Sequence, residues 1–238
     1  MNRTVAVVRL HSNRRFSSLA LPPILSVGIV CLMVVVVVSI RVAGNSTVSP
    51  DVVDGLRSNG GIVFSLAALL VGLGIQAATA CFAFATSLGT TRRDYVLGTG
   101  AYFLLQSLYV AAILSILLAV EKGTGHWFTG AYALDVKLLG DGNWAAFLPL
   151  VLTGPLAMQA VGAMFGASWL RFGSRGPLLI AAVMVMLLAA GILIVLPRWV
   201  AVMTGFSFAS VALMLLIVGV VALLATGAFL RRTSVRGT

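Results

Sequence analysis

Long apolar runs almost free of charge recur along this chain, at about 19–40, 61–85, 98–120, 145–170, 177–196 and 206–230. Crossing the hydrocarbon core of a bilayer takes about 20 such residues in a helix. Lipid offers no water to unpaired backbone groups, so a segment that crosses alone must bond them internally, and a helix does so. The β-branched run Val34–Val38 would suggest a strand in water; inside a lipid-soluble segment it reads as helix. The fold class is therefore all-α: a polytopic membrane protein of six transmembrane helices. Only 9% of the residues are charged, against about a quarter in soluble domains, too few to clothe a water-soluble fold. No repeat relates the two halves, and no soluble domain is added.

Charge sets the expected orientation. Cytoplasmic segments carry an excess of Lys and Arg. With an even number of spans, both termini share one side. Placing the N-terminus inside puts Arg3, Arg9, Arg14, Arg15, Arg92, Arg93, Arg171, Arg175, Arg231, Arg232 and Arg236 in the cytoplasm. Arg41, Arg57, Lys122, Lys137 and Arg198 then lie outside, with every acid except Asp94. Trp127, Trp144 and Trp199 fall near the outer interface and Trp169 near the inner one, as aromatic belts require. The expectation is a plasma (inner) membrane protein, N-in and C-in, with a basic tail at 231–238.

The basic residues sit at segment ends and form no continuous face, so the net charge of +10 points to lipid headgroups and not to nucleic acid. Residues 1–18 mix Arg with Val5, Val8, Leu10 and Phe16; an interfacial helix and a plain basic tail both fit. The run that follows is longer than the apolar core of a signal peptide and reads as a retained first span. Cys31 and Cys81 lie inside apolar segments and form neither a disulfide framework nor a metal site.

Absent motifs narrow the function. The two lysines follow Glu121 and Val136, so no Gly-Lys-[Ser/Thr] phosphate loop exists. Gly98-x-Gly100 lacks the third glycine of a dinucleotide fingerprint, and the hydrolase elbow and zinc-protease motifs are missing. The chain is not expected to be an enzyme or to bind a cofactor or metal. Mid-span Asp, Glu, Lys, Arg and His are also missing, which disfavours an ion-coupled carrier. Inside the spans, Gln76, Gln106 and Gln159 could form a polar seam or simply bond neighbouring helices. Gly154-Pro155 should bend the fourth span. Gly162-x-x-x-Gly166 permits close helix approach.

One polar break stands out: Ser87–Thr99, SLGTTRRDYVLGT, between the second and third spans. Thr91 and Asp94 fit a helix-capping pattern. Thr91 should accept from the Asp94 amide while the Asp94 carboxylate reaches back. Arg92 and Arg93 would then be topology anchors, or a rigid docking element for an external motor.

Three motifs in order resemble the membrane subunit of an ABC exporter of the type-2 permease class. They are SLGTTRRDYVLG after span two, EKGTGHW at Glu121–Trp127, and GASWLRFGSRG at Gly166–Gly176. The resemblance runs from about Ser87 to Leu187. It implies a six-span fold, an N-terminal interfacial helix, and dimerisation with itself or a homologous permease beside a separate ATPase that consumes ATP. Gly89, Thr91, Arg92, Arg93, Asp94 and Tyr95 would form the coupling element, and Arg171, Gly173 and Arg175 a second cytoplasmic contact. The short segment between spans five and six leaves little room for the re-entrant outer helices of polysaccharide and lipid exporters. A hydrophobic or amphipathic cargo is the expected substrate. A membrane scaffold or sensor that docks a partner through the same elbow is the alternative.

Overall fold

The computed structural model describes residues 3–13, 16–44, 49–195, 207–231 and 233. The expected 197–205 turn, with Arg198 and Trp199, and Arg14, Arg15, Arg232 and Arg236 lie outside them. The described residues are mostly helical, with no strand among them. The helices are α1 (Arg3–Ser12), α2 (Leu21–Ala43), α3 (Pro50–Arg57), α4 (Gly61–Gln76), α5 (Phe82–Ser87), α6 (Arg92–Gly123), α7 (Trp144–Phe172), α8 (Arg175–Val195) and α9 (Phe208–Arg231). Six helical stretches are long and apolar enough to cross a membrane.

Several boundaries differ from the sequence reading. The polar segment 41–60 contains α3, started by Ser49, whose hydroxyl accepts from the Val52 amide, and by Pro50 in the first turn. Gly154-Pro155 does not break the fourth span: α7 runs as one helix through Pro149 and Pro155. Pro155 denies Val151 its usual partner and crowds the turn before it. Ser107 of α6 donates to the carbonyl of Leu152 in that turn.

Two wide π-type turns, Phe16–Ala20 before α2 and Ala77–Cys81 between α4 and α5, share one device. Lengthening the bond ring to i→i+5 strands carbonyls, and α6 supplies side-chain donors to them. Gln106 Nε2 donates to Ser18 O (2.6 Å), the Tyr109 hydroxyl to Leu19 O (2.8 Å), and the Tyr95 hydroxyl to Ala77 O.

The centre of the bundle is α7. It packs most extensively on α9 and α4, then on α6. The α4–α7 contact depends on missing side chains. A Cβ on Gly74 would lie 2.1 Å from Gln159 O, and one on Gly162 would lie 2.1 Å from Val71 O. Backbones can meet at that range only through glycine, and close backbone packing is a principal source of helix association in lipid. By contrast α8 leans chiefly on α7, and Leu178, Val185, Met186 and Leu193 stand exposed. Residues 3–12 are helix, not tail: Val7 packs on Gly98 of α6, and His11 Nε2 lies 3.1 Å from Thr99 Oγ1.

Candidate docking surface at the elbow end

The turn after α5 is built locally. The Leu88 amide donates to Phe84 O and the Gly89 amide to Thr86 O (3.3 and 3.0 Å), and Gly89 turns the chain at φ +79°. Thr91, at φ −71° and ψ 149°, then starts α6. Its hydroxyl oxygen accepts from the Asp94 amide (3.2 Å). Asp94 does reach back, but its Oδ2 accepts from the Thr91 hydroxyl (2.8 Å) and not from a backbone amide. The elbow is therefore the first turn of a helix that continues to Gly123, with no separate helix of its own.

Its side chains divide sharply. Tyr95 points inward, fully buried, edge-on to Phe82 and bonded to Ala77 O. Arg92 is half-buried, and its Nη1 donates to Leu230 O (3.0 Å) and Arg231 O (2.6 Å). These carbonyls end α9, where orphan acceptors and the negative end of the helix dipole favour a cation. Arg92 therefore ties the start of the third span to the end of the sixth. Arg93 is exposed and, among the described residues, makes no ion pair.

The second turn meets the same end of α9. Arg171 lies over the rings of Phe172 (4.7 Å) and Phe229 (5.8 Å), and these two rings meet edge to face. Gly173 closes α7 at φ +64° and ψ −150°, a region open essentially to glycine alone. Arg175 then opens α8, exposed, and among the described residues it has no ion pair. Phe229–Arg231 thus joins both turns into one surface. Arg93 and Arg175 each stand in the first turn of a helix. There the macrodipole is positive and a second positive charge is disfavoured by about 0.3–1 kcal/mol. Together with Arg92 and Arg171 they make this end strongly electropositive, with Asp94 as the lone acid in these turns.

The three glutamines have different surroundings. Gln106 is bonded to Ser18 O, and exposed Gln76 lines a crevice with Ser18 and His11. Gln159 lies apart, buried in α7, donating to Pro155 O of its own helix.

The far end holds residues the sequence reading passed over. Glu121 is fully buried, and its carboxylate accepts from the amides of Ala133 (3.1 Å), Leu134 (2.8 Å) and Asp135 (3.2 Å). The loop between them turns through His126, Trp127 and Phe128, all at φ near +59°, a conformation L-residues seldom adopt consecutively. His126 Nδ1 sits 3.6 Å from Glu121 Oε1. Arg57 bonds Asp141 (2.6 Å) and lies 3.7 Å from Asp135, and Lys137 pairs with Asp54. The signal available in the sequence is an acid at the end of an apolar span followed by Gly123 and Gly125.

Against known proteins, no family model, curated protein or solved structure matches this chain.

Proposed function

We propose that this chain is the permease subunit of an ATP-driven transporter of the type-2 ABC exporter class, and that its elbow end is where a separate ATPase docks. In this reading both termini lie in the cytoplasm of a cell with the protein in its plasma membrane. Two copies, or this chain and a homologous permease, stand side by side over two ATPase subunits. ATP is bound and hydrolysed by the partner.

The observation that carries the reading is the pairing of Arg93 and Arg175. Both are exposed, without ion pairs among the described residues, at helix starts that disfavour them. An anchor of topology alone gains nothing from that placement, since any position in the loop would serve the charge rule. A partner with carboxylates at its docking face gains a focused positive field. Arg92 and Arg171, through α9, make the surface stiff, so a push on it would reach three spans together.

Co-purification with a co-expressed ATPase tests this directly. Wild-type chain should hold the ATPase and raise its turnover in lipid vesicles. The Arg93→Glu/Arg175→Glu double variant should insert normally and lose both. A double variant that keeps full stimulation would sink the docking role.

A second reading, a scaffold that docks the same partner and moves nothing, rests on the glutamines: Gln106 bonds a neighbouring segment at Ser18 O, and Gln159 bonds its own helix at Pro155 O. Cargo movement across vesicles in the presence of the ATPase separates the two.

A further inference from the structure

Beneath the far end lies a cavity of about 270 Å³ with an almost wholly apolar lining. Its walls come from α4 (Ile62, Leu66, Leu70), α6 (Val110, Leu114), α7 (Leu150, Gly154, Met158) and α9 (Val211, Leu215), with Leu138 and Leu139 at the far end. Three features define what fits. The volume is well above the ~150 Å³ that lets an engineered apolar cavity take a benzene molecule while staying dry. The lining runs from Ile62 to Leu70 on α4 and from Leu150 to Met158 on α7, about 12 Å along each helix axis at 1.5 Å per residue. That is long and narrow. It also nearly matches the depth of one leaflet, about half of the ~30 Å hydrocarbon core, starting from the polar cap that carries Lys137 and Asp54. Finally, the space is open midway along the α7 wall: a Cβ on Gly154 would meet nothing within 4 Å.

We propose that this cavity binds a single aliphatic chain of a membrane amphiphile, entering from the leaflet next to the Glu121 cap. An elongated apolar slot offers no polar group to orient a compact polar solute, and water is excluded by the lining. A chain laid along the membrane normal buries its methylenes against α4, α7 and α9 together. The assignment does not depend on the transporter reading.

The exposed helix α8 supplies the internal control, because lipid on it is merely surrounding solvent. The full chain is reconstituted in vesicles holding a trace of phosphatidylglycerol with a photoreactive diazirine midway along one acyl chain. After irradiation, labelled peptides are mapped. Label should concentrate at least fivefold in 62–70, 150–158 and 211–215 over 178–193. Gly154→Phe, which fills the slot, should abolish that excess. Gly191→Phe, on α8 with equally open space around it, should not. A parallel arm uses a photoreactive free fatty acid in vesicles of unlabelled lipid. Excess label with the phospholipid identifies a bilayer lipid as the source, and excess with the acid alone identifies a free amphiphile; either supports the chain site. Even labelling of α8 and the cavity walls by both probes overturns it. That wild-type comparison decides even if Gly154→Phe folds poorly, and an unaltered excess in a well-folded Gly154→Phe overturns it too.

Discussion

At the far end of the bundle Arg57 lies between Asp135 and Asp141, Lys137 meets Asp54, and Glu121 is wrapped in backbone amides. At the elbow end Arg93 and Arg175 make no ion pair among the described residues, while Arg92 and Arg171 use carbonyls and aromatic rings. The first end uses charge to hold itself together. The second leaves charge over. Internally balanced charge is consumed by folding, whereas unbalanced charge at helix starts is a standing attraction for something negative outside the chain. The difference can be measured, because each end predicts a distinct response when one charge is removed.

The largest effect belongs to Glu121. Replacing it with Leu keeps the volume roughly constant but orphans three buried amides at about 1–3 kcal/mol each, for a loss of roughly 3–9 kcal/mol. Thermal unfolding in detergent should shift down by on the order of 10 °C, taking about 2–4 °C per kcal/mol for a chain of this size. Glu121→Gln keeps one acceptor oxygen and should fall between. A Leu variant as stable as wild type would show that the cap is not held by this carboxylate.

Arg92 comes next. Arg92→Ala removes the donor from the Leu230 and Arg231 carbonyls and a cation from the end of α9, about 1–2 kcal/mol in all. Amide exchange should accelerate in the last turn of α9 and leave α4 untouched. Uniform exchange across both helices would deny that Arg92 ties the spans together.

How much of this was legible in advance follows from how far apart the partners lie. Six spans were readable because each apolar run declares itself within about twenty residues. The Thr91–Asp94 cap was readable because it closes over three residues. The acceptors of Arg92 lie 138 and 139 residues away, and nothing near Arg92 in sequence names them. The family resemblance groups Tyr95 with the coupling element; its inward turn depends on the π-type turn at Ala77–Cys81, which bares the carbonyl it bonds. An apolar sequence carries no mark of such a turn. The amide nest around Glu121 escaped for another reason: it requires His126, Trp127 and Phe128 in the left-handed region, against their local preference. At Gly154-Pro155 the helix α7 stays continuous, running through Pro149 and Pro155 while packed on α9, α4 and α6.

A smaller effect tests whether pairing at the far end matters by number or by burial. The Lys137–Asp54 pair is half or more exposed on both sides. Asp54→Asn should therefore cost no more than about 1 kcal/mol, and high salt should erase the difference. Arg57→Ala, which strips the mostly buried Asp135, should cost more and resist salt. Equal losses would mean that burial does not rank these pairs.

The smallest stability change is expected where the functional change is largest. Arg93→Glu/Arg175→Glu exchanges two disfavoured cations at helix starts for two favoured anions. Stability should hold or rise by up to about 1 kcal/mol, read as an unchanged or slightly raised unfolding temperature. The sign separates the two roles these residues could have. If they were part of the fold, as Arg92 is, reversal would destabilise, and any lost partner binding would be its by-product. If they are surplus to the fold, binding falls while the unfolding temperature does not. Because reversed charges in cytoplasmic loops can also flip topology, the orientation of the last span must be checked by cysteine labelling on each side. Retained orientation, retained stability and lost docking together would assign the surplus charge to a partner.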